Sequence, residues 1–144
     1  MSERESVAIR EATPLDYPKI SQLYHDAGWL NYTNYPAMLD AALRNSRTVL
    51  VAVQQTDVLG VIRAVGDGAS ILYIQDLIVR QDQKRRGIGT RLLLKLDALY
   101  PDVYQKVLLT DDTPVSRAFY EHSGFQHSKQ IGCMAMIKIK PPSA

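Results

Sequence analysis

A short segment rich in glycine and basic residues follows one of the most apolar stretches of the chain. Residues 84–90 read KRRGIGT, and the leucines of residues 92–99 then recur at helical spacing. The first amides of a helix lack partners within the helix and lie at the positive end of its dipole. Gly87 and Gly89 would let an anion approach those amides closely. The segment predicts a phosphate site; alternatively, it is a solvated loop whose glycines cap the helix.

Two common phosphate motifs are excluded. The P-loop pattern G-x-x-x-x-G-K-[ST] does not occur in the chain. A dinucleotide fingerprint needs a third small residue, but Leu92 occupies that place, and no ribose-reading acid lies on a strand about 20 residues later. Residues 80–91 carry five basic residues and one acid, but no interleaved aromatic residue. Nucleic-acid binding is therefore not expected.

The second chemically informative segment is residues 113–125, which read TPVSRAFYEHSGF. Pro114 at the first helical position predicts a helix that ends before Gly124. Ser116 and Tyr120 share one face of that helix. The Tyr120 phenol could be a core hydroxyl with a hydrogen-bond partner, or it could serve as a proton donor in a site.

An acid and a base lie on strands that are otherwise apolar. Asp76 interrupts residues 70–79, and burial would raise the pKa of its carboxyl toward that of a useful general base. The alternative is a structural carboxylate that accepts hydrogen bonds. Arg63, on the preceding strand, could bind an acidic group or pair with a neighbour such as Asp76.

Composition bounds the class of protein. The chain has 144 residues, 46% hydrophobic and 22% charged, with a net charge of +2, which predicts one folded domain over residues 1–144. Its single cysteine excludes a disulfide framework and a multi-cysteine metal cluster, and no metal is expected. No apolar run reaches the length of a membrane span, and residues 1–5 are too charged for a secretory signal. We therefore expect a cytoplasmic protein, with loose ends at residues 1–6 and 141–144.

These features must be positioned by a mixed α/β sheet. The order is strand, two helices, three strands, helix, strand, helix and two strands. Residues 70–79 are apolar on both faces, which predicts a central strand covered on both sides, with residues 72, 74, 76 and 78 on one face. The predicted strands are residues 7–10, 48–54, 58–65, 70–79, 107–109, 125–130 and 134–140, and the helices lie between Asp16 and Gly28, from Pro36 to Leu43, from Ile88 to Leu99 and from Pro114 to about His122.

Together, residues 77–79, 84–90 and 119–125 resemble the GNAT superfamily of acyl-CoA-dependent N-acetyltransferases. The element order matches that family along nearly the whole chain. The chain is most similar to small bacterial members and more weakly similar to the plastid-type serotonin (arylalkylamine) N-acetyltransferases. The resemblance implies a mostly antiparallel central sheet of six to seven strands flanked by about four helices.

The resemblance also implies roles for individual residues, with acetyl-CoA as the cosubstrate. Residues 85–90 would wrap the pyrophosphate of acetyl-CoA. Ile78 and Val79 would pair with the pantetheine arm of acetyl-CoA, and Tyr120 would protonate the departing thiolate. The chain departs from the family pattern at Lys84, Thr113 and Ser116, which puts the fine contacts to the pantetheine in question. The cofactor contacts would be Leu77, Ile78, Val79, Lys84, Arg85, Arg86, Gly87, Ile88, Gly89, Thr90, Thr113 and Ser116.

The acceptor is expected to be a small-molecule or lysine-type amine. Its pocket would be lined by Arg63 and by the rings of Trp29 and Tyr32, which suit an aryl or alkyl ammonium. Alternatively, Trp29 is a residue of the hydrophobic core. Asp111 would attract the cation or relay its proton, if it is more than an exposed turn acid. A homodimer is a further expectation. The alternative function is a CoA-binding sensor or scaffold without turnover.

Overall fold

The computed structural model describes residues 6–142. The loose ends predicted from the sequence therefore fall largely outside the described residues, at 1–5 and 143–144. The chain divides into two compact units, with the boundary between Leu108 and Leu109. Each unit is described by itself below.

Five strands and five α-helices make up the regular structure of residues 6–142. The first unit contains β1 (Ala8–Glu11), α1 (Tyr17–Asp26), α2 (Leu30–Thr33), α3 (Pro36–Asn45), β2 (Thr48–Gln54), β3 (Asp57–Gly66), β4 (Ile71–Val79), α4 (Ile88–Leu99) and β5 (Gln105–Leu108), and the second contains α5 (Pro114–His122). Short 3₁₀ turns occur at Pro14–Asp16, Gln81–Gln83 and Ser128–Ile131. No helix in this range is both long and apolar enough to cross a membrane.

The sheet has the order β1-β2-β3-β4-β5. The first three pairings are antiparallel and the last, between β4 and β5, is parallel. A parallel pair needs a crossover, which α4 provides. The mixed, mostly antiparallel α/β fold expected from the sequence is thus confirmed.

The expected strand count of six to seven is wrong for the described residues. The predicted closing strands at 125–130 and 134–140 are instead a 3₁₀ turn, Ser128–Ile131, and a segment without regular structure. Residues 134–140 have suitable side chains, but a strand exists only where a neighbouring backbone completes its ladder, and none in residues 6–142 does so. The structure has five α-helices in the described residues, where about four were expected, because α2 forms in an aromatic stretch that was expected to be irregular.

Helices α1 and α3 pack on one face of the sheet. Their apolar side chains meet Val51, Val61 and Ile78, which lie side by side on β2, β3 and β4. The helix residues of this core are Ile20, Leu23, Tyr24, Leu39 and Leu43.

Helix α4 packs against the opposite face, where Gly60 of β3 permits a close approach. A Cβ atom added to Gly60 would lie 3.1 Å from Cδ1 of Leu92 and 3.2 Å from Cγ2 of Ile88. The missing side chain therefore lets the start of α4 lie directly on the sheet. This packing fixes where the first amides of α4 are presented.

Strand β4 contains a bulge that was not predicted. Arg63 pairs with Asp76 but Ala64 pairs with Ile74, so Gln75 is an extra residue in β4. A one-residue slip turns the following side chains to the other face of the sheet. Ile74 therefore shares a face with Ala64, whereas Ile78 shares the opposite face with Val61. The assignment of residues 72–78 to two uniform, covered faces is wrong, and Gln75 itself is exposed.

Asp16 fixes the entry into α1 and gives a prediction on stability. Its carboxylate accepts two 2.8 Å hydrogen bonds from Arg10 and one from the Thr13 amide. The bond with Arg10 is the main reason that the pKa of Asp16 falls to about 2. Because the folded pKa is below the unfolded value, the stabilisation is full above pH ~4 and is lost as the pH falls through about 2.

Asp16→Asn should therefore lower the free energy of unfolding by about 1 kcal/mol at neutral pH, since half-exposed Arg10 is screened by water, and Tm by about 3 °C. Thermal melts of both proteins from pH 7 to pH 2 measure this. The difference in Tm should shrink steadily toward pH 2, and a gap at pH 2 as large as the gap at pH 7 would contradict the assignment.

Candidate active site

The loop before α4 has the backbone of an anion-binding nest. Arg85 and Gly87 both have positive φ, at 67° and 75°. Arg85 is one of two non-glycine residues with positive φ among residues 6–142, the other being Gln55. Alternation of left- and right-handed residues turns successive amides toward a common point, which suits an anion. A Cβ atom at Gly87 would meet nothing within 4 Å, so the space beside it is open.

The first turn of α4 has no side-chain cap. Gly87 is its N-cap residue, and no side chain there accepts a bond from the helix amides. The next residues, Ile88, Gly89 and Thr90, begin the helix, with Ile88 buried as its anchor. The amides of this turn are therefore available to an external acceptor.

Basic side chains surround this turn. Lys84, Arg85 and Arg86 are exposed, and within residues 6–142 they form no ion pair. Arg86 donates to the side chain of Gln83. Arg80 pairs instead with Asp82, at 2.7 Å. Within residues 6–142, the three consecutive cations are therefore not paired with an acid, whereas Arg80 is paired with Asp82.

An open strand edge lies immediately before this loop. Pairing between β4 and β5 runs from Ile71 to Ile74 and ends where the Gln75 bulge begins. Beyond Ile74, no strand of residues 6–142 covers that edge of β4. A bulge of this kind both bends a strand and terminates its pairing.

Hydrogen-bond alternation identifies the residues that face the open edge. The Arg80 amide donates to the Leu59 carbonyl at 2.8 Å, so these residues form a hydrogen-bonded pair. In an antiparallel ladder every second residue points toward its partner. Ile78 therefore faces β3, whereas Leu77 and Val79 direct their amide and carbonyl groups to the open edge. The expected pair was Ile78 and Val79, but at this edge the exposed backbone groups belong to Leu77 and Val79.

Asp76 lies in a buried ionic network. Its Oδ2 atom accepts from the Tyr24 hydroxyl at 2.6 Å and from Arg63 Nε at 2.9 Å, and Arg63 Nη2 lies 2.8 Å away. Asp76 is 3% exposed and Arg63 is 6% exposed. Burial and the charge of Asp76 raise the pKa of Tyr24 above its usual range. Arg63 thus pairs with Asp76, one of the two alternatives that the sequence left open.

An aromatic wall, formed by Trp29, Tyr32 and Tyr73, lies on the same side of the sheet. The rings of Trp29 and Tyr32 are 6.3 Å apart. The Gln75 side chain donates to the Tyr32 hydroxyl at 3.4 Å. Burial raises the pKa of Tyr73, and the charges of Asp76 and Tyr32 add to the shift. The structure therefore brings together Trp29 and Tyr32, which were predicted, with Tyr73 and Gln75, which were not.

The second unit contains the remaining predicted residues. Thr113 is the N-cap of α5, and its Oγ1 accepts from the Ser116 amide at 3.2 Å. The Tyr120 ring packs edge-on against Phe119 and Phe125, with centroids 4.9 Å and 5.9 Å away. Burial, and secondarily the charge of Asp111, raises the pKa of the Tyr120 phenol. Tyr120 therefore keeps its proton well into the alkaline range.

A family model described as an acetyltransferase (GNAT) domain matches residues 15–141. The chain belongs to the GNAT acetyltransferase family. This confirms the resemblance seen in the sequence, and it assigns the protein acetyl transfer from acetyl-CoA in general terms. No protein among the curated sequences is significantly similar to the chain.

Solved structures of other proteins described as acetyltransferases share this fold. A GNAT-family acetyltransferase from Streptococcus pneumoniae TIGR4 is 33% identical, with a TM-score of 0.82 over 95% of this chain and 98% of that one. A candidate acetyltransferase from Deinococcus radiodurans R1 is 22% identical, with a TM-score of 0.76 over 97% and 94% of the two chains. The PaiA N-acetyltransferase from Thermoplasma acidophilum, crystallised with coenzyme A, is 15% identical, with a TM-score of 0.65 over 85% and 91%.

The residues of this GNAT chain fit coenzyme A. The uncapped first turn of α4, the open space at Gly87 and the exposed cations suit a pyrophosphate. The open edge at Leu77 and Val79 supplies the backbone groups that the amides of a pantetheine arm require. No group of residues in the described part of the chain is arranged to hold a metal ion.

Proposed function

We propose that the protein transfers an acetyl group from acetyl-CoA to a primary amine by direct attack on the thioester. The observation that carries this proposal is the open edge of β4 beyond Ile74, immediately before an uncapped, glycine-containing helix start. An extended pantetheine can add to that edge as a short strand does, while its pyrophosphate meets the amides of residues 87–90. The thioester is then placed beside the bulge.

The reaction needs a stabilised oxyanion and a proton for the leaving group. The amine nitrogen attacks the carbonyl carbon, and the tetrahedral oxyanion accepts a hydrogen bond from an amide of the open edge. The Tyr120 proton moves to the sulfur as the carbon–sulfur bond breaks, and the phenolate regains a proton from solvent after the products leave. A thiol has a pKa near 8.5, so a phenol with a raised pKa is a feasible donor only when the proton moves as the bond breaks. The nitrogen loses its proton to solvent or to a nearby base.

The acceptor class follows from the aromatic wall. Tyr32 and Tyr73 offer π faces and hydroxyl groups, and Gln75 adds an amide, so this wall contains no charged side chain. Such a surface binds an aryl or alkyl ammonium through cation–π contact and apolar burial. We therefore expect arylalkylamines and alkylamines to be better acceptors than acidic amino acids.

A screen of amines with acetyl-CoA tests the proposal. Release of the CoA thiol is followed with arylalkylamines, polyamines, amino sugars and lysine peptides, and mass spectrometry identifies the acetylated product. We expect amine-dependent thiol release to be highest with the first class. Tight acetyl-CoA binding without release for any class would favour the alternative, a CoA-binding sensor on the same fold.

A further inference from the structure

We propose that Asp76, together with Arg63 and Tyr24, is a positioning group that holds the aromatic wall against β4 and so sets the affinity for the amine. The inference rests on the proposed function, because it concerns the acceptor side of the same site. It assigns Asp76 a role other than removing a proton from the substrate. Three observations carry it.

The first observation is that one oxygen of the Asp76 carboxylate holds three donor atoms from two side chains. Its Oδ2 atom is within hydrogen-bond distance of Tyr24 Oη, Arg63 Nε and Arg63 Nη2. A proton taken up from a substrate, on either oxygen, would neutralise Asp76 and leave the buried Arg63 guanidinium without its counter-charge. An atom engaged in this way is suited to holding its partners in place.

The second observation is the continuity between this network and the aromatic wall. The Tyr24 ring contacts Tyr32 and Trp29, with centroid distances of 5.0 Å and 5.8 Å. Tyr32 in turn accepts from Gln75, the residue next to Asp76. Contacts therefore lead from Asp76 through Tyr24 and Tyr32 to Gln75, the bulge residue that directly precedes Asp76 in the chain. The orientation of Tyr24 is thereby linked to the position of the wall.

The third observation is the location of the ion pair in the sheet. Arg63 and Asp76 are direct partners in the β3–β4 register, and Asp76 follows the bulge residue. Arg63 also reaches Ser46 Oγ at the end of α3, at 3.4 Å. The network thus joins α1, α3 and both strands at the place where β4 leaves β5.

Kinetics of Tyr24→Phe test the proposal, because this change removes one hydrogen bond and leaves the ring. We expect KM for the amine to rise about 5- to 10-fold, with kcat and KM for acetyl-CoA within about 2-fold of wild type. The acidic limb of the pH profile of kcat/KM should not move. Tyr17→Phe, a change of the same kind at the start of α1, should leave all of these values unchanged.

A base role for Asp76 predicts the opposite pattern. Loss of the Tyr24 donor would then move the acidic limb of the pH profile of kcat/KM, with the amine KM unaffected. Either a moved limb or an unchanged amine KM would overturn the proposal. Asp76→Asn, if it folds, provides a second test: a fall in kcat of about 100-fold or more would indicate a base.

A fluorescence measurement separates this proposal from the proposed function. Trp29 is the sole tryptophan of the chain and contacts the Tyr24 ring. Its emission maximum should shift in Tyr24→Phe but not in Tyr17→Phe. If wild-type protein acetylates no amine, the proposed function fails, and the emission still decides whether Tyr24 positions the wall. An unchanged emission maximum would overturn the positioning role.

Discussion

Gly89→Glu is expected to weaken acetyl-CoA binding by about 100-fold, equivalent to about 2.7 kcal/mol. Gly89 is the second residue of α4 and has no positive φ, so a side chain there causes no backbone strain. Glutamate is a better helix former than glycine, and an acid in the first turn also favours the helix dipole. The variant should therefore fold at least as well as wild type. Its carboxylate, however, competes with the pyrophosphate for the same amides.

Isothermal titration calorimetry with acetyl-CoA measures the effect, and Gly89→Gln is the matched control. Glutamine has nearly the same shape without the charge, so it should lose about 10-fold or less, and the difference between the two variants isolates the electrostatic contribution. Equal affinities for wild type and Gly89→Glu would show that the anion binds elsewhere.

Tyr120→Phe is expected to lower kcat about 100-fold, because general acid catalysis contributes factors of this size. The affinity for acetyl-CoA should stay unchanged, since the ring still packs against Phe119 and Phe125. The pH profile of wild-type kcat should also show no decline from deprotonation of Tyr120 up to a pH of about 10, because burial raises the pKa of the phenol.

Steady-state thiol release and calorimetry on the same preparations separate turnover from binding. Tyr104→Phe serves as the control, because Tyr104 is 85% exposed and lies outside the proposed site. Turnover that is undiminished in Tyr120→Phe would remove Tyr120 from the acid role. A parallel loss of acetyl-CoA affinity would indicate a structural role instead.

The helix start that we propose binds the cofactor could be predicted because its signals are local. A glycine before a helix, consecutive cations and an amphipathic stripe are adjacent in the sequence, and their geometry follows from helix ends. Residues 87–90 therefore form the helix start that was expected. The helix at Pro114–His122 could likewise be predicted, from a proline at its start and a glycine after its end.

The proposed acceptor side depends on a feature without a local signal. The bulge at Gln75 is an insertion relative to β3, and it is visible only when two strands are aligned. Periodicity alone placed Ile74 and Ile78 on one face, whereas the bulge separates them. The same register brings Arg63 opposite Asp76, so a pair 13 residues apart in sequence becomes one ionic contact. Tyr73 and Gln75 could have been suspected as polar groups on an apolar strand.

The C-terminal segments show the limit of strand propensity. Met134, Met136, Ile137 and Ile139 have the side chains of a strand, yet all four are exposed and lie outside any ladder of the described residues. Strand formation depends on a partner backbone, which a pattern of side chains does not specify.

The most direct test of the account is an amide chemical-shift map of ¹⁵N-labelled protein titrated with acetyl-CoA. We predict that the largest changes fall on the amides of Gly87, Gly89 and Thr90 and on those of Leu77 and Val79, with Ile78 less affected because it faces β3. Saturable changes confined to other parts of the chain, with these amides unmoved, would contradict the proposed placement of the cofactor.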